Sequence, residues 1–330
     1  MTFPFNVYWL AFASGFLSTL LTLPWWRRWC LRVGLVDDPG PRKIHQSPVP
    51  LAGGLAVMTG LFVPLLIATV VLKFSILERQ SLLDSSTVRW FQYGFERRLR
   101  QLAAVFLGAL GMLAVGWLDD KHELRPAVKF GGQLFVAALV AAAGIRITLF
   151  VDNILFSYAV TILWILTVTN ACNFMDNMNG LCTGLGLIGA WSFAWSAAIN
   201  GQYLVTSIAL LTCGALLGFL PFNFPRATIF LGDAGSHLTG YLLALLAILP
   251  HFYSRENPQT LAVLKPLLIL GVFLGDLVWV VWLRWRLRQP VYVGDNNHIS
   301  HRLVRRGLSR TRAVLTIWLI AAILGWLSFL

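Results

Sequence analysis

Long apolar runs separated by short polar stretches recur from one end of the chain to the other. A helix needs about 20 apolar residues to cross a bilayer core. Ten runs approach that length, at 5–24, 52–72, 101–118, 127–144, 154–171, 182–199, 203–220, 236–250, 261–283 and 313–330. Every sizeable polar stretch between them is a loop of 30 residues or fewer. The first run is followed by Arg27 and Arg28 and lacks a small-residue cleavage site, so it reads as an anchor and not a signal peptide. The pattern predicts an all-α polytopic membrane protein of about ten transmembrane helices, with residues 1–330 forming one integral membrane domain.

Composition supports that reading. Hydrophobic residues make up 57% of the chain and charged residues 12%, with mean hydropathy +0.71. A soluble domain carries about 25% charged residues, so there are too few charges here to cover a soluble surface. Collagen, a disordered tail and a disulfide-rich module are excluded as well. Cys30, Cys172, Cys182 and Cys213 lie in or beside apolar runs without CxxC pairing and read as core residues. In a polytopic protein the net charge of +12 points to cytosolic loops and anionic lipid, not to nucleic acid.

Ten spans place both termini on one side and sort the loops into two sets. One set (25–51, 119–126, 172–181, 221–235 and 284–312), with its helix ends, holds 17 of the 26 basic residues. The positive-inside rule makes that set cytosolic and both termini extracytoplasmic. The loop 73–100 argues the other way, with Lys73, Arg79, Arg89, Arg97, Arg98 and Arg100 on the opposite side.

The chemistry collects in the basic set, which holds or adjoins nine of the 14 acidic residues. Carboxylates at membrane helix ends are costly unless paired or metal-bound. Several on one face suggest a hard divalent cation and a phosphorylated ligand. Asp119-Asp120-Lys121 ends the third run. Adjacent carboxylates cannot both face one way, so one reaches a metal or nucleophile while the other meets a Lys or a backbone donor. Asn170, Asn173 and Asp176 are spaced three apart and share a helical face, with Asn177 and Asn179 following. Amides supply both donors and acceptors for ribose, base edges or metal-bound water. In Asn223…Phe230-Leu-Gly232-Asp233-Ala-Gly235, the glycines allow backbone N–H groups to approach a phosphate, Asp233 can hold its cation, and Phe230 can stack on a base. His298 and His301 are neighbours on a helical face beside Arg302, which suits a phosphate clamp, a solvated surface or a zinc site short of a third ligand. Arg42, Lys43 and His45 supply cations in a proline-rich loop, and Gly53-Gly54 after it allows close approach of a helix or a ligand.

These five segments, in this order, resemble the polyprenyl-phosphate N-acetylhexosamine-1-phosphate transferases of glycosyltransferase family 4. Arg42-Lys43-x-His45-x-x-Pro48-x-Pro50-x-x-Gly53-Gly54 is similar to the N-acetylglucosamine branch. The resemblance implies transfer of a sugar-1-phosphate from a cytosolic UDP-sugar to a membrane polyprenyl phosphate, with Mg²⁺ (or Mn²⁺) as cofactor and release of UMP. It also implies the inner (cytoplasmic) membrane, and the first membrane step of a cell-envelope glycan pathway; a homodimer is compatible with it. Catalytic roles are expected at Asp119, Asp120, Asp176, His298 and His301. Substrate contacts are expected at Arg42, Lys43, His45, Asn170, Asn173, Asn179, Asn223, Phe230 and Arg302, and metal contacts at Asp233 and Asp176.

Two departures stand out. The family's Asp-Gly-x-Asp-Gly reads Asp176-Asn177-Met178-Asn179-Gly180, and its His-x-His-His reads His298-Ile299-Ser300-His301. An intramembrane aspartyl protease is one rival reading, but Phe230-Leu-Gly-Asp233 and Phe273-Leu-Gly-Asp276 both lack the Gly that opens its usual signature. A lipid or sugar transporter is another, but it would place polar residues in mid-span on several helices.

Overall fold

The computed structural model describes residues 3–39, 46–73, 85–148, 151–250, 260–290 and 297–330. Its long helices are α1 (Phe5–Val33), α2 (Gly53–Lys73), α3 (Ser85–His122), α4 (Pro126–Ala142), α5 (Ile154–Met175), α6 (Leu181–Ile199), α7 (Tyr203–Asn223) and α8 (Gly232–Leu246). A 3₁₀ turn at Thr260–Leu264 leads into the short α9 (Lys265–Ile269) and then α10 (Gly271–Arg286), α11 (Ile299–Arg305) and α12 (Arg310–Leu327). Strands β1 (Val36–Asp37) and β2 (Val49–Pro50) pair antiparallel, Val36 opposite Pro50, and tie together the two ends of the proline-rich loop.

Among the described residues, seven helices are long and apolar enough to cross a membrane. Residues 262–269 and 271–286 make an eighth candidate bent by 70°. The ten expected runs therefore separate into seven long helices, the bent pair, and α4 and α8, which have 17 and 15 residues. The chain is a multi-pass membrane protein. Large apolar side chains such as Trp9, Leu21, Leu163, Leu319 and Trp326 face outward, the inverse of a water-soluble surface.

The expected loop at 73–100 is corrected in part. Residues 85–100 belong to α3, a helix of 38 residues, about 57 Å at 1.5 Å per residue. Charged residues end an apolar run without ending a helix, and no proline breaks this stretch. Residues 74–84 lie outside the described part.

Helix α8 is the axis of the bundle. All of its residues except Asp233 are buried, and it packs against α2, α3, α5 and α6. Its first turn is reached by two glycines. A Cβ at Gly54 would lie 2.5 Å from the backbone N of Gly235, and one at Gly116 would strike the backbone of Asp233. Backbone bonds from Gly53 to Phe230, from Gly54 to Leu231 and from Phe230 to Pro50 lock the same junction. The open choice at Gly53-Gly54 is thus resolved in favour of a helix.

Candidate active site

The end of α3 meets the start of α8. Both oxygens of Asp120 accept backbone N–H groups there, from Asp233 at 2.7 Å and Ala234 at 3.0 Å. Asp120 therefore caps α8 from another helix, a favourable place for a carboxylate against the helix dipole. Gly232 turns the chain at φ +71°, and a Cβ there would lie 2.8 Å from the Asp120 carboxylate.

This corrects the expected phosphate cradle. The N–H groups of Asp233 and Ala234 are taken by Asp120, and Gly235 serves the contact with Gly54. The adjacent pair divides its work: Asp120 anchors backbone, whereas Asp119 faces a cation. Asp119 Oδ1 accepts the Leu124 N–H at 2.8 Å, and its Oδ2 lies 2.6 Å from Lys129 Nζ.

Lys129, on the first turn of α4, is the centre of the site. Its ammonium also lies 2.6 Å from Asp233 Oδ2 and donates to Asn173 Oδ1 at 3.3 Å. Asn173 Nδ2 donates to Asp233 Oδ1 at 2.8 Å and contacts Ser236 Oγ at 3.0 Å. Four helices thus bring Lys129, Asp119, Asp233 and Asn173 together, the expected Asn173 and Asp233 among them. One turn further into the bundle, Asn170 Nδ2 donates to Gln133 Oε1 at 2.7 Å, and Gln133 Nε2 meets His237 Nε2 at 3.1 Å. Asp176 ends α5 beside this group. Burial, followed by the negative charges of Asp233 and Asp120, pushes its carboxyl well above the usual carboxylate range.

The histidine segment is clamped from two sides. Asp276 on α10 lies 2.6 Å from His298 Nδ1 and accepts the Ile299 N–H at 2.7 Å. Ser300 Oγ donates to Asn177 Oδ1 at 2.6 Å, while Asn177 Nδ2 donates to the Phe174 carbonyl at 2.7 Å. The two departures from the family pattern are therefore hydrogen-bonded to each other. Burial, then the neighbouring His298, Arg305 and Arg310, lowers the His301 ring below its ordinary range. Arg302 lies over the Trp279 ring at 4.4 Å, a cation–π contact. No three His, Cys, Asp or Glu side chains converge as a metal-ligand group among the described residues. The zinc alternative for His298 and His301 thus gains no third ligand there.

Asn223 is buried. Its Oδ1 accepts from Gly180 N and Thr183 Oγ1, and its Nδ2 donates to the Ile229 carbonyl, so its amide holds two turns together. Asn179 is exposed, with one long bond of 3.4 Å to the Pro225 carbonyl. Phe230 is half-buried, with its backbone held by Pro50 and Gly53. Arg42, Lys43 and His45 lie outside the described residues. All four cysteines are free and buried. The protease reading loses its geometry, because Asp233 pairs with Lys129 whereas Asp276 pairs with His298.

Sequence reading missed Lys129, Gln133, His237 and the role of Asp276. A signal was present for the first two: Lys129 and Gln133 stand four apart, on one helical face, in an otherwise apolar stretch. Ionisable residues in such stretches are functional candidates by default.

The sequence model of glycosyl transferase family 4 matches residues 102–251, which include Asp119, Lys129, Asn173 and Asp233. A probable undecaprenyl-phosphate N-acetylglucosaminyl 1-phosphate transferase of Bacillus subtilis is 32% identical over 322 residues, covering 95% of this chain and 82% of the relative. The chain belongs to glycosyl transferase family 4. Other relatives include a decaprenyl-phosphate N-acetylglucosaminephosphotransferase of Mycolicibacterium smegmatis, 31% identical over 94% of this chain and 78% of the relative. The undecaprenyl-phosphate alpha-N-acetylglucosaminyl 1-phosphate transferase of Escherichia coli K12 is 26% identical over 96% of this chain and 82% of the relative. The family 4 match ends before the segment of His298 and His301, but all three relatives align along nearly the whole chain.

Proposed function

We propose that this chain transfers N-acetylglucosamine-1-phosphate from UDP-N-acetylglucosamine to a membrane polyprenyl phosphate and releases UMP. The observation that carries the reading is the Lys129 ammonium held between Asp119 and Asp233 where α3, α4 and α8 meet. That arrangement is a charged, oxygen-rich site at the end of a membrane bundle. The relatives' names supply the sugar phosphate and the lipid class.

The oxygen donors fit a hard divalent cation such as Mg²⁺. Asp233 and Asp119 would hold it, with Asp176 nearby and substrate oxygens completing the shell. When bound, the cation neutralises charge across the diphosphate. The lipid phosphate has a second pKa of about 6, by analogy with other phosphate monoesters, so near pH 7 it needs orientation more than deprotonation. One of its oxygens attacks the β-phosphorus in line. The new P–O bond joins lipid and sugar phosphates, the bond between the β-phosphorus and the bridging oxygen breaks, and UMP leaves with that oxygen. Lys129 balances the negative charge gathered at Asp119, Asp233 and the incoming phosphates. His298, fixed by Asp276, and His301 are proposed to meet the substrate phosphates. Incubating purified protein with UDP-N-acetylglucosamine, polyprenyl phosphate and Mg²⁺ should release UMP. No release across a panel of UDP-sugars would refute the proposal.

Asn179 is proposed to read the uracil. Its exposed amide, with one weak internal bond, supports that role. Asn179→Ala should raise the KM for the UDP-sugar about tenfold, near 1.4 kcal/mol, with little change in kcat. An unaltered KM would make Asn179 a structural residue of the turn.

The proposed topology has ten crossings, with the site at the cytosolic face of the inner membrane and both termini outside. Hydrogen bonds joining the basic loops to one another support gathering them at one end. A cysteine at the exposed Arg306 should be labelled only from the cytosolic side, without background from the four buried native cysteines. Labelling from outside intact cells would invert the topology.

A further inference from the structure

Below the Lys129 tier lies a second polar tier on the same three helices. Helix α4 supplies Lys129 and Gln133, α8 supplies Asp233 and His237, and α5 supplies Asn173 and Asn170. These pairs are spaced four, four and three residues apart, so each lower residue sits one turn beneath its partner on the same helical face. Gln133 and His237 are fully buried.

The hydrogen bonds of the lower tier have a fixed direction. Asn170 Nδ2 donates to the Leu166 carbonyl at 2.8 Å, and that oxygen can only accept. The same amide nitrogen donates to Gln133 at 2.7 Å, so the Gln133 atom facing it is the oxygen. The Gln133 nitrogen then points at His237 Nε2, 3.1 Å away. That ring nitrogen must accept, and the ring proton is therefore on Nδ1. His237 Nδ1 is buried without a partner among the described residues.

We propose that His237 and Gln133 are positioning residues for the transfer site, with His237 held as the neutral Nδ1–H tautomer. The lower tier fixes the register of α4, α5 and α8, and through it the approach of Lys129 to Asp233. The Lys129 tier alone is a set of charges that several arrangements could satisfy, whereas the Asn170–Gln133–His237 chain is directional and accepts one. A neutral ring also places no second cation beneath Asp233 to compete with the one it holds. The kinetic part of this proposal rests on the function proposed above; the tautomer does not.

The test uses full-length protein in lipid nanodiscs with ¹⁵N-labelled histidine. A signal with a bare Nε2 and a protonated Nδ1 should vanish in His237→Gln, which assigns it among the six histidines and separates it from His298, whose Nδ1 faces Asp276. In Gln133→Leu that signal should lose its single tautomer. A wild-type His237 with a protonated Nε2 would overturn the proposal whatever the activity. In transfer assays, His237→Gln places an acceptor where Nε2 was and should stay within about threefold of wild type. His237→Leu and His237→Asn lack that acceptor and should lower kcat about 10–100-fold, the usual size of losing a supporting partner at a metal site, with KM little changed. Equal loss in the Gln and Leu variants would also overturn it. If no variant or wild-type protein transfers sugar phosphate, the proposed function fails, and the NMR measurement still decides the tautomer.

Discussion

Asp233→Asn is expected to abolish transfer while leaving the fold in place. The cap that Asp120 puts on α8 uses the backbone N–H of residue 233, which the substitution does not touch. An asparagine oxygen can still accept from Asn173, now 2.8 Å away. What disappears is the negative charge that faces Lys129 at 2.6 Å and that would hold the divalent cation. Charge stabilisation in a water-poor site is among the largest catalytic effects, and one lost donor can cost 10²–10³ in kcat. Loss of a charged cation ligand should cost about 10³-fold or more, near 4 kcal/mol. The measurement is UMP release across a Mg²⁺ titration, with thermal unfolding as the control for folding. Near-normal turnover at saturating Mg²⁺ would remove Asp233 from the site.

Lys129→Met should produce the largest change in stability. Its ammonium is the shared partner of Asp119 and Asp233, and the side chain is only 18% exposed. Removing one member of a buried ionic group leaves uncompensated charge, at a cost of about 3–5 kcal/mol. Here two carboxylates lose the same cation and face each other. A divalent cation can replace part of the lost charge, so the variant should regain more thermal stability from added Mg²⁺ than wild type does. Thermal unfolding with Mg²⁺ and with chelator checks both points. Unchanged stability, or an identical response to Mg²⁺, would contradict the central role of Lys129. Transfer should fall as well, because no ammonium then balances the phosphates.

The apolar runs made the membrane architecture legible, since span length and composition are local properties. The three-residue spacing of Asn170, Asn173 and Asp176 likewise revealed a shared face, because helical periodicity is local. What depended on neighbouring helices stayed hidden. Nothing in Asp119-Asp120 tells which carboxylate caps a helix 113 residues further on. Gly232 and Gly235 suit both a phosphate cradle and close helix packing, and only the approach of Asp120 and Gly54 decides between them. Asn223 reads as a substrate contact in the sequence, and its three hydrogen-bond partners are brought to it only by folding. Lys129 and His237 gained meaning only when α4 and α8 were placed side by side. The helical turns 85–100 were hidden for a different reason: charged residues stop an apolar pattern but not a helix.

The most direct test of the proposed reaction follows the β-phosphorus itself. UDP-N-acetylglucosamine labelled at its β-phosphate is incubated with the purified protein, polyprenyl phosphate and Mg²⁺, and lipid and aqueous products are separated. Attack at the β-phosphorus should carry the label into the lipid fraction in step with release of unlabelled UMP. Label remaining in the aqueous phase as UDP would show that the sugar had moved without its phosphate, and would contradict the reaction proposed for this site.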